Sequence, residues 1–301
     1  MIFDCVIVGG GPAGLNAALV LGRARRNVAL IDDNNPRNAV TRESHGFITR
    51  DGIEPSEFRH IAHGEIARYP SVRVVRDKVL DAVRNGRHFE LTAESGETFQ
   101  ARTIILATGL KEILPPVEGI RAFYGKSLFN CPYCDGWELR DRRLVVISEN
   151  EHAFHMAKTV SNWTNDLFVA TNGHRVLTEE QRNALAARGI AVEERKIASL
   201  AGENGQLATI VFEDGTERAC TGGFVTPQLV QPSRIGESLG CRTNPRGGYI
   251  ADELGRTNIA GVYAAGDSSF SGPSQLILAA AGGFRAAAGV NADLIDERWA
   301  D

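Results

Sequence analysis

Residues 2–14 read IFDCVIVGGGPAG. The apolar run at residues 2–8 is rich in β-branched side chains, which is typical of a strand buried on both faces. The glycine-rich turn that follows opens residues 15–24, in which Ala and Leu recur with helical periodicity. A second apolar run, residues 27–31, ends at Asp32. Together these patterns predict a β-turn-α-β unit of about 30 residues.

The glycines of this turn have the G-x-G-x-x-G spacing, at Gly9, Gly11 and Gly14. Gly9 lets the chain turn, Gly11 lets the backbone approach a pyrophosphate, and Gly14 lets the helix pack close to the strand. The helix N-terminus then faces the anion with free N–H groups and a partial positive charge. Asp32 stands where a carboxylate accepts hydrogen bonds from ribose hydroxyls. A tight turn without a ligand is the alternative, and the order of strand, turn, helix and acid favours the nucleotide site.

The overall composition is that of an ordinary globular protein. The 33 Lys and Arg against 37 Asp and Glu give a net charge of −4, so there is no general field to attract nucleic acid or an anionic membrane. Glycine is in excess, at 32 of 301 residues, but no Gly-X-Y period indicates collagen. No run approaches the roughly 18 apolar residues of a membrane span, and the N-terminus lacks the basic region of a signal peptide. We therefore expect a cytoplasmic protein.

The chain is long enough for two domains. Leu114-Pro115-Pro116 is the clearest linker, because it can continue neither a helix nor a central strand. Strands and helices alternate again after it, and the chain then ends in an Ala-rich helical pattern like that of its first part. The expected fold class is α/β, with two doubly wound Rossmann-like domains, the second inserted into the first. The predicted boundaries are 1–115 with 243–301 for the discontinuous first domain, and 116–242 for the inserted one.

The inserted domain carries the motif Cys131-Pro132-Tyr133-Cys134. Two cysteines at this spacing can close a small disulfide, and a helix starting within the motif would lower the pKa of a thiol. Half of a zinc site is a second interpretation, but Cys220 and Cys241 are too far apart in sequence to form the other half. Two neighbouring buried thiols are a third. The odd total of five cysteines argues against a secreted disulfide framework, and a redox pair is favoured.

Two further stretches carry a family resemblance, Ala107-Thr108-Gly109 and residues 263–267, which read YAAGD. With the glycine turn and the interposed CxxC motif, they resemble the low-molecular-weight thioredoxin reductases over essentially the whole chain. The resemblance implies FAD as the cofactor, which the glycines alone do not distinguish from NAD. The FAD contacts that it implies are Gly9, Gly11, Pro12, Ala13, Gly14, Asp32, Arg37, Asn38, Val79, Ala107, Thr108, Gly109, Gly266, Asp267, Gln275 and Leu276.

The resemblance also implies roles at the redox motif. Cys134 would face the flavin, Cys131 would meet the sulfur of the partner, and Asp135 would donate or accept the proton that thiol–disulfide exchange requires. The alternative for Asp135 is an ordinary turn residue. His45 could activate a substrate thiol or only form a hydrogen bond within its loop. Trp299 could cover the flavin of a partner subunit or pack on the last helix. A homodimer is implied as well.

The turn after the first strand of the inserted domain lacks what a pyridine nucleotide needs. Residues 148–153 read SENEHA, without a glycine, and two of them, Glu149 and Glu151, are anionic where a pyrophosphate would bind. Residues 171–176 read TNGHRV, in which no basic cluster for the 2′-phosphate of NADPH is recognisable. We therefore expect the nicotinamide site to be lost.

Members of the family that lack this site include dithiol oxidases, which close disulfides in small natural products such as gliotoxin and holomycin, and reductases fed by ferredoxin. In the oxidase, a small dithiol reduces the cysteine pair, the pair reduces FAD, and O2 takes the electrons with release of hydrogen peroxide. In the ferredoxin type, electrons flow to a thioredoxin-like protein. A basic face would dock the acidic donor, and two arginine clusters are candidates for it, although a solvated face is the usual role of such clusters: Arg23, Arg25 and Arg26, and Arg140, Arg142 and Arg143. We favour dithiol oxidation over reduction driven by ferredoxin or NADPH, with a non-enzymatic flavin redox sensor as a third alternative.

Overall fold

A computed structural model describes residues 1–269 and 274–300. The chain divides into two compact units, each with its own sheets and its own core. The first unit comprises Met1–Ala39, Gly46–Lys111 and Leu229–Asp301, and the second comprises Val40–His45 and Glu112–Gln228.

The strands of the described residues are numbered in chain order. They are β1 Ile2–Val8, β2 Val28–Asp32, β3 Val72–Arg76, β4 Val79–Asn85, β5 His88–Ala93, β6 Thr98–Leu106, β7 Lys111–Ile113, β8 Leu128–Phe129, β9 Leu144–Ile147, β10 Leu167–Ala170, β11 Ala191–Glu193, β12 Ile197–Glu203, β13 Gln206–Phe212, β14 Glu217–Ala219, β15 Gly222–Val225, β16 Gln228–Val230 and β17 Val262–Ala264.

The helices are numbered in the same way, and two short 3-10 helices accompany them at Arg37–Val40 and Gly266–Ser269. The α-helices are α1 Pro12–Arg23, α2 Pro55–Ile66, α3 Ile120–Phe123, α4 Pro132–Asp135, α5 His152–Val160, α6 Glu179–Ala186, α7 Ile235–Ser238 and α8 Leu276–Ala300. Within residues 1–269 and 274–300, no helix combines the length and the apolar character that crossing a bilayer requires.

The first unit is built on a seven-stranded sheet with the order β3-β2-β1-β6-β5-β4, in which β17 also pairs with β6. Strands β3, β2, β1, β6 and β17 are parallel, and β5 and β4 add an antiparallel edge. Val8 lies opposite Ile31 on one side and Leu106 on the other, so three strands end side by side at the glycine turn. This edge is where a parallel sheet presents a ligand site.

Helices α1 and α8 pack together on one face of this sheet. Small side chains such as Ala17 and Ala286 are fully buried between them and the strands. The two helices approach closely because Gly283 has no side chain, since a Cβ there would lie 2.0 Å from the carbonyl oxygen of Ala13. The N-terminal turn of α1 is therefore fixed in part by α8.

The second unit contains a five-stranded parallel sheet with the order β11-β10-β9-β15-β8 and a three-stranded antiparallel sheet, β12-β13-β14. Its parallel strands are apolar throughout, as expected for strands covered on both faces. Helix α6 begins with a capping box in which Thr178 and Gln181 satisfy each other's backbone N–H groups. The parallel strands at the centre of the first sheet and the parallel sheet of this unit confirm the α/β prediction.

The boundaries between the units fall within β7, at 111/112, and within β16, at 228/229. The sequence-based boundaries, 115/116 and 242/243, both lie later in the chain. The second boundary differs more from its prediction, because Ile235 and Cys241, predicted for the inserted domain, are buried in a core cluster of the first unit. Residues 40–45, which the prediction gave to the first domain, cluster with the second unit.

Candidate active site and cofactor turn

The glycine turn between β1 and α1 is closely packed on its own backbone. Gly9 has a φ of +104°, and a Cβ at this residue would lie 2.4 Å from the carbonyl oxygen of Ala107. A Cβ on Gly14 would lie 1.8 Å from the carbonyl oxygen of Gly9. Gly11 differs, because no described atom would lie within 4 Å of its Cβ. Gly9 and Gly14 are thus required by the turn itself, and Gly11 faces open space.

Asp32, at the end of β2, is held against this turn. Its Oδ1 accepts a hydrogen bond from the backbone N–H of Gly10 at 2.8 Å. Its Oδ2 lies 3.8 Å from Nη2 of Arg59 on α2. The carboxylate therefore has a fixed position at the sheet edge, where it can accept hydrogen bonds from a ribose.

A second group of predicted FAD contacts meets near the start of α1. Gly266 lies against it, because a Cβ on this glycine would come 2.7 Å from Cβ of Ala13. The next residue, Asp267, forms an ion pair with Arg37, with 2.7 Å between Oδ2 and Nη2. Ser268 ties this segment to β6 through a 2.6 Å hydrogen bond from its hydroxyl to the carbonyl of Leu106. The structure thus brings together residues from three distant parts of the sequence.

The end of β6 leaves a polar atom that a ligand can satisfy. The hydroxyl of Thr108 is buried and has no hydrogen-bond partner among the described residues. Such a group costs free energy unless something pairs with it. Gly109 follows with a φ of +67° and open space around its missing side chain. An orphaned hydroxyl beside open glycine backbone fits the binding of FAD at this edge.

Three other predicted FAD contacts have different surroundings. Val79 is 5% exposed and belongs to a core cluster of the first unit. The amide oxygen of Gln275 lies 3.4 Å from where a Cβ of Gly46 would be, and Leu276 is the first residue of α8. All the predicted FAD contacts belong to the first unit, and the residues of the redox motif belong to the second.

The two cysteines of the motif form a disulfide, Cys131–Cys134, with 5.3 Å between their Cα atoms. Cys131 is the N-cap of α4, and its carbonyl oxygen accepts hydrogen bonds from the backbone N–H groups of Cys134 and Asp135 at 3.1 and 3.2 Å. The ring of Trp163 packs on Gly136, where a Cβ would lie 2.8 Å from its atoms. The predicted pairing is confirmed, and the motif sits on a short helix held by an aromatic side chain.

The other cysteines have a different character. Cys5, Cys220 and Cys241 are free and buried. Burial raises the pKa of the Cys5 and Cys220 thiols to about 12, so neither is a thiolate at neutral pH. Within the described residues no cluster of three or more His, Cys, Asp or Glu could hold a metal ion. Only the CxxC motif has the disulfide chemistry that the sequence indicated.

Asp135, next to the disulfide, has an unusual acidity. Burial raises the pKa of this carboxyl to about 7, the negative charge of Glu138 adds to the rise, and His45 opposes it. His45 Nε2 lies 3.7 Å from Oε1 of Glu138 and 3.6 Å from Oε2 of Glu43. Asp135 can therefore both hold and release a proton near neutral pH, which a general acid or base must do.

The turn between β9 and α5 is filled by its own side chains. Asn150 Oδ1 accepts a 3.0 Å hydrogen bond from the backbone N–H of His152, the first residue of the helix. Glu149 accepts a 2.5 Å hydrogen bond from the side-chain N–H of Asn172, whose own oxygen accepts the N–H of Ile197 at 2.8 Å. A pyrophosphate at this helix N-terminus would meet an amide oxygen and a carboxylate instead of free N–H groups.

The two arginine clusters considered for docking are largely occupied by contacts within the chain. Arg23 donates to the hydroxyl of Tyr69 and Arg26 to the side-chain oxygen of Asn291, each at 2.8 Å. Arg143 forms a 2.8 Å ion pair with Asp166, and the Arg140 guanidinium lies 4.0 Å from the centroid of the Trp137 ring. These clusters therefore present less unpaired positive charge than the sequence indicated.

Residues 3–283 match the family model described as pyridine nucleotide-disulphide oxidoreductase. The chain belongs to this family. It is an enzyme, an FAD-dependent disulfide oxidoreductase that resembles thioredoxin reductase, as predicted. The predicted fold class, with two Rossmann-like domains, is confirmed by the solved structures that share it.

Three similar proteins illustrate the relationship of this oxidoreductase. The putative thioredoxin reductase TrxB from Bacillus anthracis is 45% identical, with a TM-score of 0.95 over 98% of this chain and 99% of that one. HlmI, which has a crystal structure, is 34% identical in sequence, with a TM-score of 0.94 over 99% of this chain and 94% of that one. Thioredoxin reductase tcpT of Claviceps purpurea is 32% identical over 89% of this chain and 87% of its own length.

Two further residues belong to these sites but were not predicted from the sequence. Glu138 lies three positions after Asp135, a spacing that places side chains near each other in helical turns, so its signal was present. Arg59 lies on a polar helix far from Asp32 in sequence, and no pattern linked the two. Only the fold shows that Arg59 lies 3.8 Å from Asp32.

Proposed function

We propose that this oxidoreductase converts a small dithiol into its disulfide, with O2 as the final electron acceptor. Two S–H bonds of the substrate break and one S–S bond forms, while two electrons and two protons reduce O2 to hydrogen peroxide. The observation that carries the proposal is the turn after β9, where Asn150 accepts the first N–H of the helix that a pyridine nucleotide would need and the preceding Glu149 adds a negative charge.

In this proposal the electrons come from the substrate dithiol and not from a pyridine nucleotide. A substrate thiolate attacks Cys131 Sγ, and the electron pair of the disulfide bond leaves on Cys134 Sγ. Asp135, whose pKa is about 7, transfers its proton to that sulfur. The second substrate thiol gives its proton to the Asp135 carboxylate and attacks the mixed disulfide, which releases Cys131 as a thiolate and the substrate as a disulfide.

FAD, when bound, supplies the two-electron chemistry that returns the cysteine pair to its disulfide and passes the electrons on. Residues suited to holding it are the glycine turn, Asp32, the Arg37–Asp267 pair and Thr108. We further propose that Cys134 is the cysteine that faces the flavin and that the enzyme acts as a homodimer, as the family resemblance implies. From the sequence pattern, we propose that it acts in the cytoplasm.

The test follows flavin absorbance under anaerobic conditions. Dithiothreitol, NADPH, NADH and reduced ferredoxin are added in separate experiments, and O2 is then admitted and peroxide is measured. We expect the dithiol to bleach the flavin and O2 to restore it with one peroxide per dithiol, whereas NADPH and NADH leave it oxidised. Rapid bleaching by NADPH, or by ferredoxin with onward reduction of thioredoxin, would overturn the proposal in favour of a reductase. Bleaching by none of the donors would favour a flavin sensor.

The variant Cys134→Ser tests the role of the pair. We expect it to abolish reduction of the flavin by dithiols, since no dithiol form of the motif can then pass electrons on. Cys241→Ser is the matched control, because Cys241 is a buried free cysteine that the proposed exchange does not use. Unchanged flavin reduction in Cys134→Ser would show that dithiols reach the flavin by another route.

A further inference from the structure

Residues 40–45 cluster with the second unit, although the chain on both sides of them belongs to the first. This segment packs tightly on Gly125, where a Cβ would lie 2.4 Å from the carbonyl oxygen of Val40. Ser44 is buried as well, at 8% exposed. Since the segment ends at His45, its packing determines where the imidazole lies within the second unit.

The imidazole of His45 lies between two carboxylates. Its Nε2 is 3.6 Å from Glu43 Oε2 and 3.7 Å from Glu138 Oε1, and its side chain is 18% exposed. Glu138 follows the redox helix α4 and is 39% exposed, so one end of this group reaches solvent. The charged groups identified around Asp135 are Glu138 and His45, and those around His45 are Glu43 and Glu138.

These groups act on Asp135 in opposite directions. The negative charge of Glu138 disfavours the ionised form of the Asp135 carboxyl, and a positive charge on His45 favours it. His45 lies 3.7 Å from Glu138, which follows Asp135 by three residues, so a substitution of either side chain changes the charge around Asp135.

We propose that His45 is a positioning residue that, together with Glu138, sets the protonation of Asp135 for the exchange between a dithiol and the Cys131–Cys134 disulfide. The proposal rests on the proposed function only in taking a dithiol as the reductant. In the exchange, Asp135 loses its proton to Cys134 Sγ when the disulfide opens and regains one from the second substrate thiol. His45 holds no substrate atom and instead determines how readily Asp135 makes both transfers.

The test compares pH profiles of anaerobic flavin reduction by dithiothreitol, measured by stopped flow around the pKa of about 7 of Asp135. In His45→Gln the midpoint should rise by about one pH unit, because a cation that favours the ionised carboxyl is lost. In Glu138→Gln the midpoint should fall by about the same amount, because a repelling anion is lost. His45→Lys, which keeps a cation, should restore the original midpoint.

The matched control is His155→Gln, since His155 is exposed on α5 in the same unit. Its profile should match that of the unchanged enzyme. Equal midpoints in all variants, or shifts in the same direction for His45→Gln and Glu138→Gln, would overturn the proposal. A lower rate in His45→Gln with an unmoved midpoint would also overturn it, because a merely structural role predicts that result.

A second readout does not depend on turnover. The carboxylic acid band of Asp135 in the infrared spectrum of the oxidised protein, assigned with Asp135→Asn, gives the protonation midpoint directly. We expect the same opposite shifts there. If they occur while O2 yields no peroxide, the proposed function fails and the role of His45 stands. If peroxide forms and the band does not shift, the role of His45 fails and the proposed function stands.

Discussion

The two βα turns of this protein, residues 9–14 in the first unit and 148–153 in the second, begin from the same arrangement. Each follows a buried parallel strand and opens a helix. In the first, α1 has no side-chain cap and its first turn lies beside the open space at Gly11. In the second, Asn150 accepts the first N–H of α5. A βα unit thus offers a phosphate site only when its own side chains leave the helix N-terminus unsatisfied.

The second turn is also embedded in a wider network. Glu149 is bonded to Asn172, which in turn accepts the backbone N–H of Ile197 at the start of β12. Ser148 accepts a 2.6 Å hydrogen bond from Thr226, which follows β15. The polar groups of this turn therefore connect strands of the second unit to each other. Removal of Glu149 would break only its bond to Asn172 and would leave the other polar contacts of the turn in place.

Among substitutions in the two turns, Gly14→Ala should have the largest effect on stability and flavin binding. The added Cβ would lie 1.8 Å from the carbonyl oxygen of Gly9, so the turn and α1 must separate. We expect the free energy of unfolding to fall by about 3 kcal/mol or more, with loss of bound flavin. Urea unfolding and the flavin content of the purified protein measure both. Gly64→Ala on α2, where a Cβ meets no described atom, should leave the flavin bound and stabilise its helix by up to about 1 kcal/mol.

An intermediate effect should come from Gly11→Val, which separates cofactor binding from folding. The backbone of Gly11 is extended, with a φ of −73° and a ψ of −178°, and nothing described surrounds its missing side chain. We expect the flavin-free protein to unfold within about 0.5 kcal/mol of the original, as for a surface substitution. Its FAD dissociation constant should rise at least about tenfold, because the backbone can no longer approach the pyrophosphate. Unchanged affinity in a titration of the apoprotein would contradict this placement of FAD.

The smallest effect should come from Asn150→Ala in the second turn. Loss of the oxygen that accepts the N–H of His152 should cost about 1 kcal/mol of stability, the usual net contribution of one hydrogen bond. NADPH should still fail to bleach the flavin. Urea unfolding measures the first result, with the exposed Asn162→Ala as control. Reduction of the variant by NADPH would mean that one side chain alone had closed the site, against the network described above.

The sequence predicted the first turn in detail because its signals are local. Strand β1 has the predicted bounds, and Asp32 ends β2 beside the glycines as expected. The lack of glycine at 148–153 was equally visible. That the Asn150 side chain accepts the first N–H of α5 was not, because an Asn near a helix start also occurs in turns where its side chain faces solvent. The sequence shows that residue 150 is Asn, but it does not show which group the side chain binds.

Other features depended on contacts between distant residues. The apolar pattern of residues 72–83 suits one continuous strand, but Asp77 and Lys78 interrupt it, and β3 pairs in parallel with β2. Their alternating pattern is compatible with either pairing, so it could not decide. Residues 40–45 are polar and irregular, and their assignment to the second unit depends on packing against Gly125. For the same reason, the neighbours of His45 could not be predicted.

The close contact between Gly283 and Ala13 bears on the order in which chain synthesis and flavin binding occur. Helix α8 packs against the glycine turn through this contact, and it is synthesised last among the described helices. We therefore expect flavin binding to follow release of α8 from the ribosome, however early β1 and α1 emerge. A protease that removes α8 from the mature enzyme would release the flavin without cutting any residue of the glycine turn.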